Sequence, residues 1–586
     1  MCGIIGYKGT QNTATRLIFK GLKELEYRGY DSWGIAVVVN GKIVCDKHTG
    51  KIGQAKTNLP PSTIGVGHTR WATHGVVTDN NSHPHLDCTG KLAVVHNGII
   101  ENYKNLKKSL VKKGHIFVSD TDTEIIAHLV EDCLKTKPRL QQAVAAAFRK
   151  LEGSNAIVVM EKKSREIAGA RNGSPLVVGI HPDKYIIASD VTPLLNYTNK
   201  VIFLEDEEGV LLGKTPSVFS VLTGRTKKYR AQKVDWKVKD AQKKGYDHFM
   251  LKEIFEQTKT VPKTAYLNET EIIQLGNKIK KRNKVTIVGC GTAYYCALAA
   301  RYLFGQVGID ARVYGAYEYL PFAAHIASSE VFIAISQSGE TADTLIAART
   351  AKENGFHIVA IVNARGSTLE RMADTVLAVG SGPEIAVVST KAFTAQLSTM
   401  YLLAQATADN YTRAKKEVAG YKKPLSSWLT KLLVNRTIAV AKLCMQKEHV
   451  FVIGKYTNYA AALECALKIK ETSYVHAEAF ASGELKHGVI ALIERGTPCI
   501  VVADNNSVKQ EVLSSAMEMK SRGGLIIGIS PFRAEEFEHH IKTPDMGPLT
   551  IIPNVIASQL LGYYMAIGRG ADPDKPRNLA KSVTVK

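Results

Sequence analysis

The second half of the chain repeats itself, and this repeat limits the possible folds more than any other feature of the sequence. The segment VTIVGCGTAYYCALAARYL (285–303) aligns without gaps with VFVIGKYTNYAAALECALK (450–468). Gly289 then corresponds to Gly454, and Tyr294 to Tyr459. Each copy is an apolar run, a turn and a stretch of helical composition. The sequence therefore predicts two copies of one α/β domain.

Apolar runs of strand length alternate with helical stretches throughout this half, which is typical of parallel sheets with crossover helices. The runs are VTIVG (285–289), VFIAIS (331–336), HIVAIVN (357–363), VFVIG (450–454), CIVVAD (499–504) and LIIGIS (525–530).

The first half differs, since its short strands and its helices occur in separate blocks. GIAVVVNGKIVCDK (34–47) reads as strand, Asn-Gly turn and strand, whereas TDTEIIAHLVEDCLK (121–135) reads as a helix capped by Thr121 with Glu124 three residues on. We therefore expect an α+β layered domain here. The expected domains are 2–220, a partly helical connector 221–273, the two α/β copies 274–415 and 440–577, and a C-terminal tail 578–586.

Charge and composition narrow the expected partners. The net charge is +22, but the lysines are spread along the chain without a basic arm, so we expect a solvated surface and no nucleic acid. No apolar run of roughly 18 residues and no signal peptide are evident, so neither a membrane nor secretion is expected and the cytoplasm is the predicted location. Nine cysteines without a C-x-x-C pair argue against a disulfide framework or a zinc site.

Cys2 is the first candidate for chemistry. Removal of Met1 places a free amine, with a pKa of about 8, on the same residue as the thiol. That amine can serve as the general base for its own nucleophile. A buried cysteine at the start of an edge strand is an equally good interpretation of Cys2 alone.

Three polar blocks supply groups that match an amino acid substrate. HTRWATHG (68–75) contributes Arg70, whose planar fork suits a carboxylate. HNGIIEN (96–102) contributes Asn97 and Gly98, an amide and a backbone N–H suited to an oxyanion. SDTDTE (119–124) contributes Asp122, which suits an ammonium group.

These blocks, with MCGIIGY, LEYRGYDS and HPH, resemble the glutaminase domain of class II glutamine amidotransferases over roughly the first 220 residues. The resemblance implies an N-terminal nucleophile hydrolase sandwich with αββα layers, and Cys2 as the nucleophile. It also implies an oxyanion hole at Asn97 and Gly98, and an ammonia-channel gate at Trp71. The residues implied to hold glutamine are Arg70, Thr73, His74, Gly98 and Asp122.

The second half contains a loop that suits a phosphate. AISQSGETADT (334–344) follows an apolar strand and opens a helix, so its hydroxyl and N–H groups lie at a helix N-terminus. It lacks the lysine of a nucleoside triphosphate loop. VADNNS (502–507) occupies the corresponding place in the second copy, where acidic Asp504 disfavours phosphate.

Ionisable residues near the end of the chain suit a sugar isomerisation, which needs one group to open the ring and another to move a proton. Lys468 and Glu471 share a helix face, and His487 follows in HAEAFASGELKHG. Lys581, in the tail PRNLAKSVTVK, can form a Schiff base with a ketose. A charged helix face and a disordered basic tail are the plainer interpretations.

SQSGETADT, VSTKAFTAQ, ALKIKE, HAEAFASGELKHG and PRNLAKSVTV resemble the isomerase half of the glutamine–fructose-6-phosphate aminotransferase family, so the resemblance covers nearly the whole chain. It implies conversion of D-fructose 6-phosphate and L-glutamine to D-glucosamine 6-phosphate and L-glutamate, the first step of hexosamine biosynthesis, by a homodimer or higher homo-oligomer with no metal and no organic cofactor. Glu471 would move the proton, His487 would open the ring from a neighbouring subunit, and Lys581 would carry the Schiff base. The residues implied to hold the sugar phosphate are Thr292, Ser336, Gln337, Ser338, Thr341, Ser389 and Lys468.

Three places depart from the family pattern, of which EIAVVST (384–390) differs only slightly from the usual EIGVAST. Ala293 replaces the usual Ser or Thr, which puts one hydroxyl contact to the sugar in doubt. Trp33 replaces a small residue, which raises the question of crowding near Cys2.

Two other functions are compatible with parts of the sequence. Another class II amidotransferase would need an ATP- or pyrophosphate-binding half, which the duplicated domain and the SQSGET loop disfavour. A sugar-phosphate sensor with an inactive glutaminase is disfavoured because all the candidate catalytic residues are present.

Overall fold

The computed structural model describes residues 2–234, 243–323 and 330–584. Its contacts divide the chain into two compact units: Met1–Asp240 with Ala580–Lys586, and Ala241–Leu579. Part of the expected connector, 235–242, and the last two residues of the tail lie outside the described residues.

The first unit is built mainly from antiparallel strands. Its helices are α1 (Ala14–Leu25), α2 (Tyr103–Lys112), α3 (Glu124–Thr136) and α4 (Leu140–Phe148). Its strands are β1 (Gly3–Gly9), β2 (Ser32–Val39), β3 (Lys42–Thr49), β4 (Ile64–Arg70), β5 (His85–Leu86), β6 (Leu92–Gly98), β7 (Asn155–Glu161), β8 (Glu166–Asn172), β9 (Val177–His181), β10 (Lys184–Ala188), β11 (Lys200–Phe203), β12 (Glu208–Leu212), β13 (Pro216–Ser220) and β14 (Gln232–Lys233).

These strands form two sheets that pack face to face. Within residues 2–234 their orders are β14-β11-β9-β10-β1-β4-β2-β3 and β13-β12-β8-β7-β6-β5. Alternate residues of each strand, such as Ile4 and Val95, fill the layer between the sheets. Helix α1 covers the outer face of the first sheet, and α3 and α4 cover that of the second. The αββα layering implied by the resemblance is confirmed.

The predicted hairpin is also confirmed. Strands β2 and β3 pair from Ser32 with Thr49 to Val39 with Lys42. Asn40 and Gly41 connect them at φ of 49° and 71°. Both residues of such a tight turn need positive φ, which asparagine and glycine tolerate best.

The second unit is α/β. Its strands are β15 (Lys284–Gly289), β16 (Asp310–Gly315), β17 (Val331–Ser336), β18 (His357–Val362), β19 (Thr375–Ala378), β20 (His449–Gly454), β21 (His476–Ala481), β22 (Pro498–Val502), β23 (Leu525–Ser530) and β24 (His539–Lys542). Its helices are α5 (Phe249–Lys263), α6 (Glu269–Arg282), α7 (Thr292–Gly305), α8 (Leu320–Ala323), α9 (Ala342–Glu353), α10 (Thr368–Met372), α11 (Lys391–Thr407), α12 (Tyr411–Gly420), α13 (Lys422–Trp428), α14 (Lys431–Cys444), α15 (Thr457–Ser473), α16 (Lys509–Lys520) and α17 (Ile551–Gly568).

The internal repeat appears as two parallel sheets with the same topology. Their strand orders, β16-β15-β17-β18-β19 and β21-β20-β22-β23-β24, match position by position within the described residues. The residues before the equivalent helices α7 and α15, Gly291 and Tyr456, even share a backbone conformation, with φ of 55° and ψ near −128° and −126°. Helices α7 and α15 pack against each other, so residues of both copies meet at one place.

Helix α17 was not anticipated from the sequence. By length and composition, residues 547–568 are long and apolar enough to cross a membrane. However, 83% of the most apolar window is buried within the protein, where it packs on α14 and α15. It is the central helix of the second unit's core.

Candidate active sites

The Cys2 thiol lies at the start of β1, at one end of the sandwich. Its Sγ accepts a hydrogen bond from the backbone N–H of Trp71 at 3.2 Å, and the Nδ2 of Asn97 donates to the Cys2 carbonyl oxygen at 2.9 Å. Burial raises the pKa of the thiol, and the Trp71 N–H and the Arg70 guanidinium oppose that shift. The pairing of β1 with β4 thus brings Trp71 to Cys2, and β6 of the facing sheet brings Asn97.

His68 fixes which way the Asn97 amide points. The His68 Nε2 lies 2.9 Å from the carbonyl oxygen of His96 and 3.1 Å from the Oδ1 of Asn97. Because a backbone carbonyl only accepts, Nε2 carries the hydrogen and also faces the amide oxygen. The Asn97 amide nitrogen is therefore turned toward Cys2. This role of His68 was not predicted from the sequence, although His68 opens the HTRWATHG block.

A partly buried ion pair also contacts the Cys2 carbonyl. The Nε of Arg28 donates to the Cys2 carbonyl at 3.4 Å, and its Nη1 pairs with the Oδ2 of Asp190 at 2.8 Å. The Tyr27 hydroxyl donates to the same Asp190 oxygen at 2.8 Å. The LEYRGYDS block suggests no role for Arg28 in the sequence, and only the fold reveals Asp190 as its partner.

The residues expected to hold glutamine surround this thiol, but several have partners of their own. Arg70 is buried and donates to the carbonyls of His74 and, at 3.0 Å, Gly75. Asp122 is also buried, and its Oδ2 accepts the Ile100 N–H at 2.8 Å. Thr73 is exposed. The Arg70 guanidinium thus binds the backbone of the loop that carries Thr73 and His74.

Gly98 must be glycine. Its φ is 142°, and a Cβ there would lie 2.2 Å from the Ser154 carbonyl oxygen. Any side chain would push β6 away from its neighbour and displace the adjacent Asn97.

The expected helix cap at Thr121 is wrong. Helix α3 begins at Glu124, and the Thr121 hydroxyl lies 2.9 Å from the Nε2 of His85. The Glu124 carboxylate instead accepts the N–H groups of Val118 and Ser119 at 2.8 and 2.7 Å. The buried imidazole offers Thr121 a better partner than the helix end does.

Trp33 does not crowd Cys2. Successive side chains of a strand point to opposite faces, and Trp33 lies in the layer of α1, where its ring contacts Phe19 and His48 at centroid distances of 5.6 and 4.7 Å. Cys2 and Asn97 instead follow the alternation of Ile4 and Val95, which face the layer between the two sheets.

Four buried histidines line the interior beside the Cys2 site, and burial lowers the pKa of each. The pKa of His68 falls to about 3, those of His83 and His85 lie well below the usual value, and that of His96 is lowered too. All four are neutral in the folded protein at neutral pH.

These histidines predict acid destabilisation of the first unit. Between pH 6.5 and 4.5 the unfolded chain takes up protons that the folded chain refuses, so the free energy of unfolding falls as pH falls. The slope should be about 1.4 kcal/mol per pH unit for each of His68, His83 and His85, whose pKa values lie furthest below the usual one. Hydrogen exchange of peptides from β4 and β6, corrected for intrinsic rates, would measure it. His83→Gln should reduce the slope, and a flat profile above pH 5 would contradict the prediction.

In the second unit, the expected phosphate loop joins β17 to α9 as predicted. The Ser336 Oγ accepts the Gly339 N–H at 3.0 Å and lies 3.3 Å from the Thr341 Oγ1. Gly339 has a φ of 65° and approaches Ser367 so closely that a Cβ would lie 2.1 Å from its Oγ. This tight turn places Ser336, Gln337, Ser338 and Thr341 before the first turn of the twelve-residue helix α9.

A buried charge cluster lies where the two copies meet. The Nζ of Lys468 is 2.5 Å from the Oε2 of Glu471, 3.4 Å from the Oε1 of Glu464 and 3.3 Å from the Oγ1 of Thr292. The side chains of Lys468 and Glu464 are both 0% exposed. Burial raises the pKa of Glu464 to about 7. Burial opposes the charge of Lys468, but the two carboxylates raise its pKa above the usual value.

Glu464 was missed in the sequence analysis. Its spacing of four residues before Lys468 was the available signal, because residues i and i+4 share a helix face. Thr292 opens α7 of the first copy, so this cluster draws on both copies of the repeat.

The remaining predicted residues of the sugar site each lie in their own surroundings. Ser389 is half-buried and donates to the Oε2 of Glu384 at 3.1 Å. Ala293 packs against the core of the second unit. His487 ends a 3-10 turn and is exposed, and Lys581 is half-buried within the first unit.

Comparisons with known proteins match both halves of the chain. A SIS domain model matches residues 278–406 and 443–541, and a glutamine amidotransferase domain model matches residues 68–196. The glutamine–fructose-6-phosphate aminotransferases (isomerizing) of Pyrococcus horikoshii and Thermococcus kodakarensis are each 42% identical to this chain, over 603 and 613 residues. Each alignment covers 100% of this chain and 100% of the relative.

A solved structure extends the agreement to the fold. The C-terminal domain of glucosamine-fructose-6-phosphate aminotransferase from Francisella tularensis is 32% identical, with a TM-score of 0.50, and covers 57% of this chain and 99% of its own. Both halves of this chain are thus matched in one order and at full length. The chain is an enzyme and belongs to the family of glutamine–fructose-6-phosphate aminotransferases (isomerizing).

Proposed function

We propose that this enzyme converts D-fructose 6-phosphate and L-glutamine to D-glucosamine 6-phosphate and L-glutamate. The observation that carries the proposal is the presence, on one chain, of a thiol site built like a glutaminase and a duplicated sugar isomerase fold with a buried Lys–Glu cluster. The full-length similarity to relatives of that name supports it.

At the first site, Cys2 is the proposed nucleophile. The free amine of Cys2 takes the thiol proton, the thiolate attacks the glutamine carboxamide, and Asn97 and Gly98 stabilise the oxyanion. The amine then gives that proton to the leaving nitrogen, so ammonia departs, and water releases glutamate from the thioester. The turned amide of Asn97 and the N–H of Trp71 support these roles. Arg70, Thr73, His74, Gly98 and Asp122 bind glutamine, and Trp71 gates the passage of ammonia.

At the second site, the ketose phosphate is held, opened and isomerised. Thr292, Ser336, Gln337, Ser338, Thr341, Ser389 and Lys468 bind it. His487 opens the ring, Lys581 forms the Schiff base that ammonia replaces, and Glu471 moves a proton from C1 to C2. The close approach of Lys468 to Glu471 supports a shared role.

Assembly and location follow as parts of the same proposal. His487 is exposed in the single chain, so its side chain is accessible to the active site of a neighbouring subunit. We therefore infer a homodimer or higher homo-oligomer. The proposed location of this enzyme is the cytoplasm. The proposed domains are 2–220, 274–415 and 440–577, with a connector at 221–273 and a catalytic tail at 578–586.

A product assay tests the function. Glutamine labelled with ¹⁵N in its amide should give ¹⁵N-labelled glucosamine 6-phosphate from fructose 6-phosphate, even with excess unlabelled ammonium present. Tagatose 6-phosphate and ribulose 5-phosphate serve as competing ketose phosphates. Hydrolysis of glutamine without any amino sugar would contradict the proposal.

The Schiff base predicts a covalent trap. Borohydride with fructose 6-phosphate, in the absence of glutamine, should attach the reduced sugar to Lys581, because the imine becomes a stable secondary amine. Peptide mass spectrometry locates the label, and Lys581→Arg should abolish it. Labelling of another lysine in the wild-type enzyme would exclude the role of Lys581.

A further inference from the structure

Four side chains with metal-binding atoms converge in the first unit, away from the Cys2 thiol. Cys88 lies in the turn between β5 and β6, His115 follows α2, and His128 and Glu131 lie one turn apart on α3. One ligand atom from each lies within 4.8 Å of all the others. The residues are spread over positions 88 to 131, which is why no compact ligand motif is visible in the sequence.

The separations fit a tetrahedral ion. The Cys88 Sγ is 3.6 Å from the Nδ1 of His115 and 3.5 Å from the Nδ1 of His128. The Oε2 of Glu131 is 3.1 Å and 3.5 Å from the same two nitrogens. Zinc bonds of about 2.3 Å to sulfur and 2.0–2.2 Å to nitrogen or oxygen put tetrahedral ligands about 3.4–3.6 Å apart.

Carboxylates outside the cluster face the far nitrogens of both imidazoles. The Nε2 of His115 lies 2.9 Å from the Oδ1 of Asp132, and the Nε2 of His128 lies 3.6 Å from the Oε1 of Glu124. Metal-binding histidines usually have such a partner, which fixes the ring and directs the other nitrogen to the ion. Both rings are buried, and both Nδ1 atoms point at the thiol and Glu131.

The donor set selects the ion. A thiolate, two imidazoles and one carboxylate suit zinc better than calcium or magnesium, which prefer oxygen ligands. A divalent ion neutralises the two negative ligands. Four protein ligands also leave no open coordination position, which is typical of a structural site.

We propose that Cys88, His115, His128 and Glu131 bind one structural zinc ion in the first unit. Its effect on catalysis rests on the proposed function. Glu124, which faces His128, also holds the N–H groups of Val118 and Ser119, just before Asp122. Zinc would therefore order the segment that presents Asp122 to glutamine.

Metal titration of the full-length enzyme tests this site. The protein, stripped by a chelator under reducing conditions, should bind one equivalent of Co²⁺ with a sulfur-to-cobalt absorption in the near ultraviolet and the visible bands of four-coordinate cobalt. Zinc should displace the cobalt and raise the thermal midpoint. Cys88→Ser should remove the near-ultraviolet band and weaken zinc binding on the order of 100-fold or more.

Matched variants separate the site from other thiols and from misfolding. Cys45→Ser, at a half-buried free cysteine of this unit, and Cys2→Ala should both retain the cobalt spectrum. Asp132→Asn keeps all four ligands and should weaken zinc about 10- to 100-fold. The proposal is overturned if no four-coordinate cobalt spectrum forms, or if Cys88→Ser binds zinc as tightly as wild type. A lost spectrum in Cys2→Ala would also overturn it, whereas failure of the glutamine reaction alone would not.

Discussion

Cys2→Ala will abolish the use of glutamine and leave the binding of fructose 6-phosphate unchanged. The thiol is the only group in the proposed reaction that forms a covalent bond to glutamine, and removal of a nucleophile costs on the order of 10⁴-fold or more in rate. The Trp71 N–H and the Asn97 amide, which now contact Cys2, remain in place, so the pocket keeps its shape. Glutamate release and ¹⁵N transfer would measure the loss.

The fold supplies a matched control for this variant. Cys45 is another half-buried thiol of the same unit, on β3, and burial raises its pKa to about 11. Cys45→Ala should retain glutamine turnover within a few-fold. Borohydride trapping of fructose 6-phosphate on Cys2→Ala would show that the isomerase half still works. Glutamine turnover in Cys2→Ala at the wild-type rate would exclude Cys2 as the nucleophile.

The sequence predicted most of the architecture because its signals are local or periodic. The aligned copies at 285–303 and 450–468 required no tertiary information, and the structure confirms them as sheets of one topology. The Asn40–Gly41 turn was equally local. Helix α17 was missed because its apolar length has no amphipathic period, as expected of a helix that is mostly buried.

Only those site residues that stand in sequence motifs could be predicted from the sequence. Cys2 and Asn97 stand in recognisable blocks, but the contacts of Asp190 with Arg28 and of His68 with Asn97 join positions that only the sandwich brings together. Thr121 shows the converse case. Its spacing to Glu124 suits a helix cap, yet the buried His85 became its partner.

Lys468→Met will destabilise the second unit by about 3–5 kcal/mol, because it leaves a fully buried carboxylate without its cation. Glu464 is 0% exposed and lies 3.4 Å from the Lys468 ammonium. The pKa of Glu464, already raised to about 7, must rise further once Lys468 is gone. The folded variant then holds a proton that the unfolded chain, with a pKa near 4.5, gives up. Because the wild-type Glu464 is itself protonated below about pH 7, the loss should be smallest below that pH and grow as pH rises from 7 toward 8, as urea unfolding at several pH values would show.

A second substitution separates stability from catalysis. In Lys468→Met with Glu464→Gln, the buried charge is absent, so most of the stability should return and its dependence on pH should flatten. Amino sugar formation should stay lost, because Glu471 would still lack the ammonium that lies 2.5 Å from it. Lys470→Met, at an exposed position of the same helix, is the control and should change neither property. If the double variant regained activity together with stability, Lys468 would be a structural ion-pair partner and its proposed place in the sugar site would be wrong.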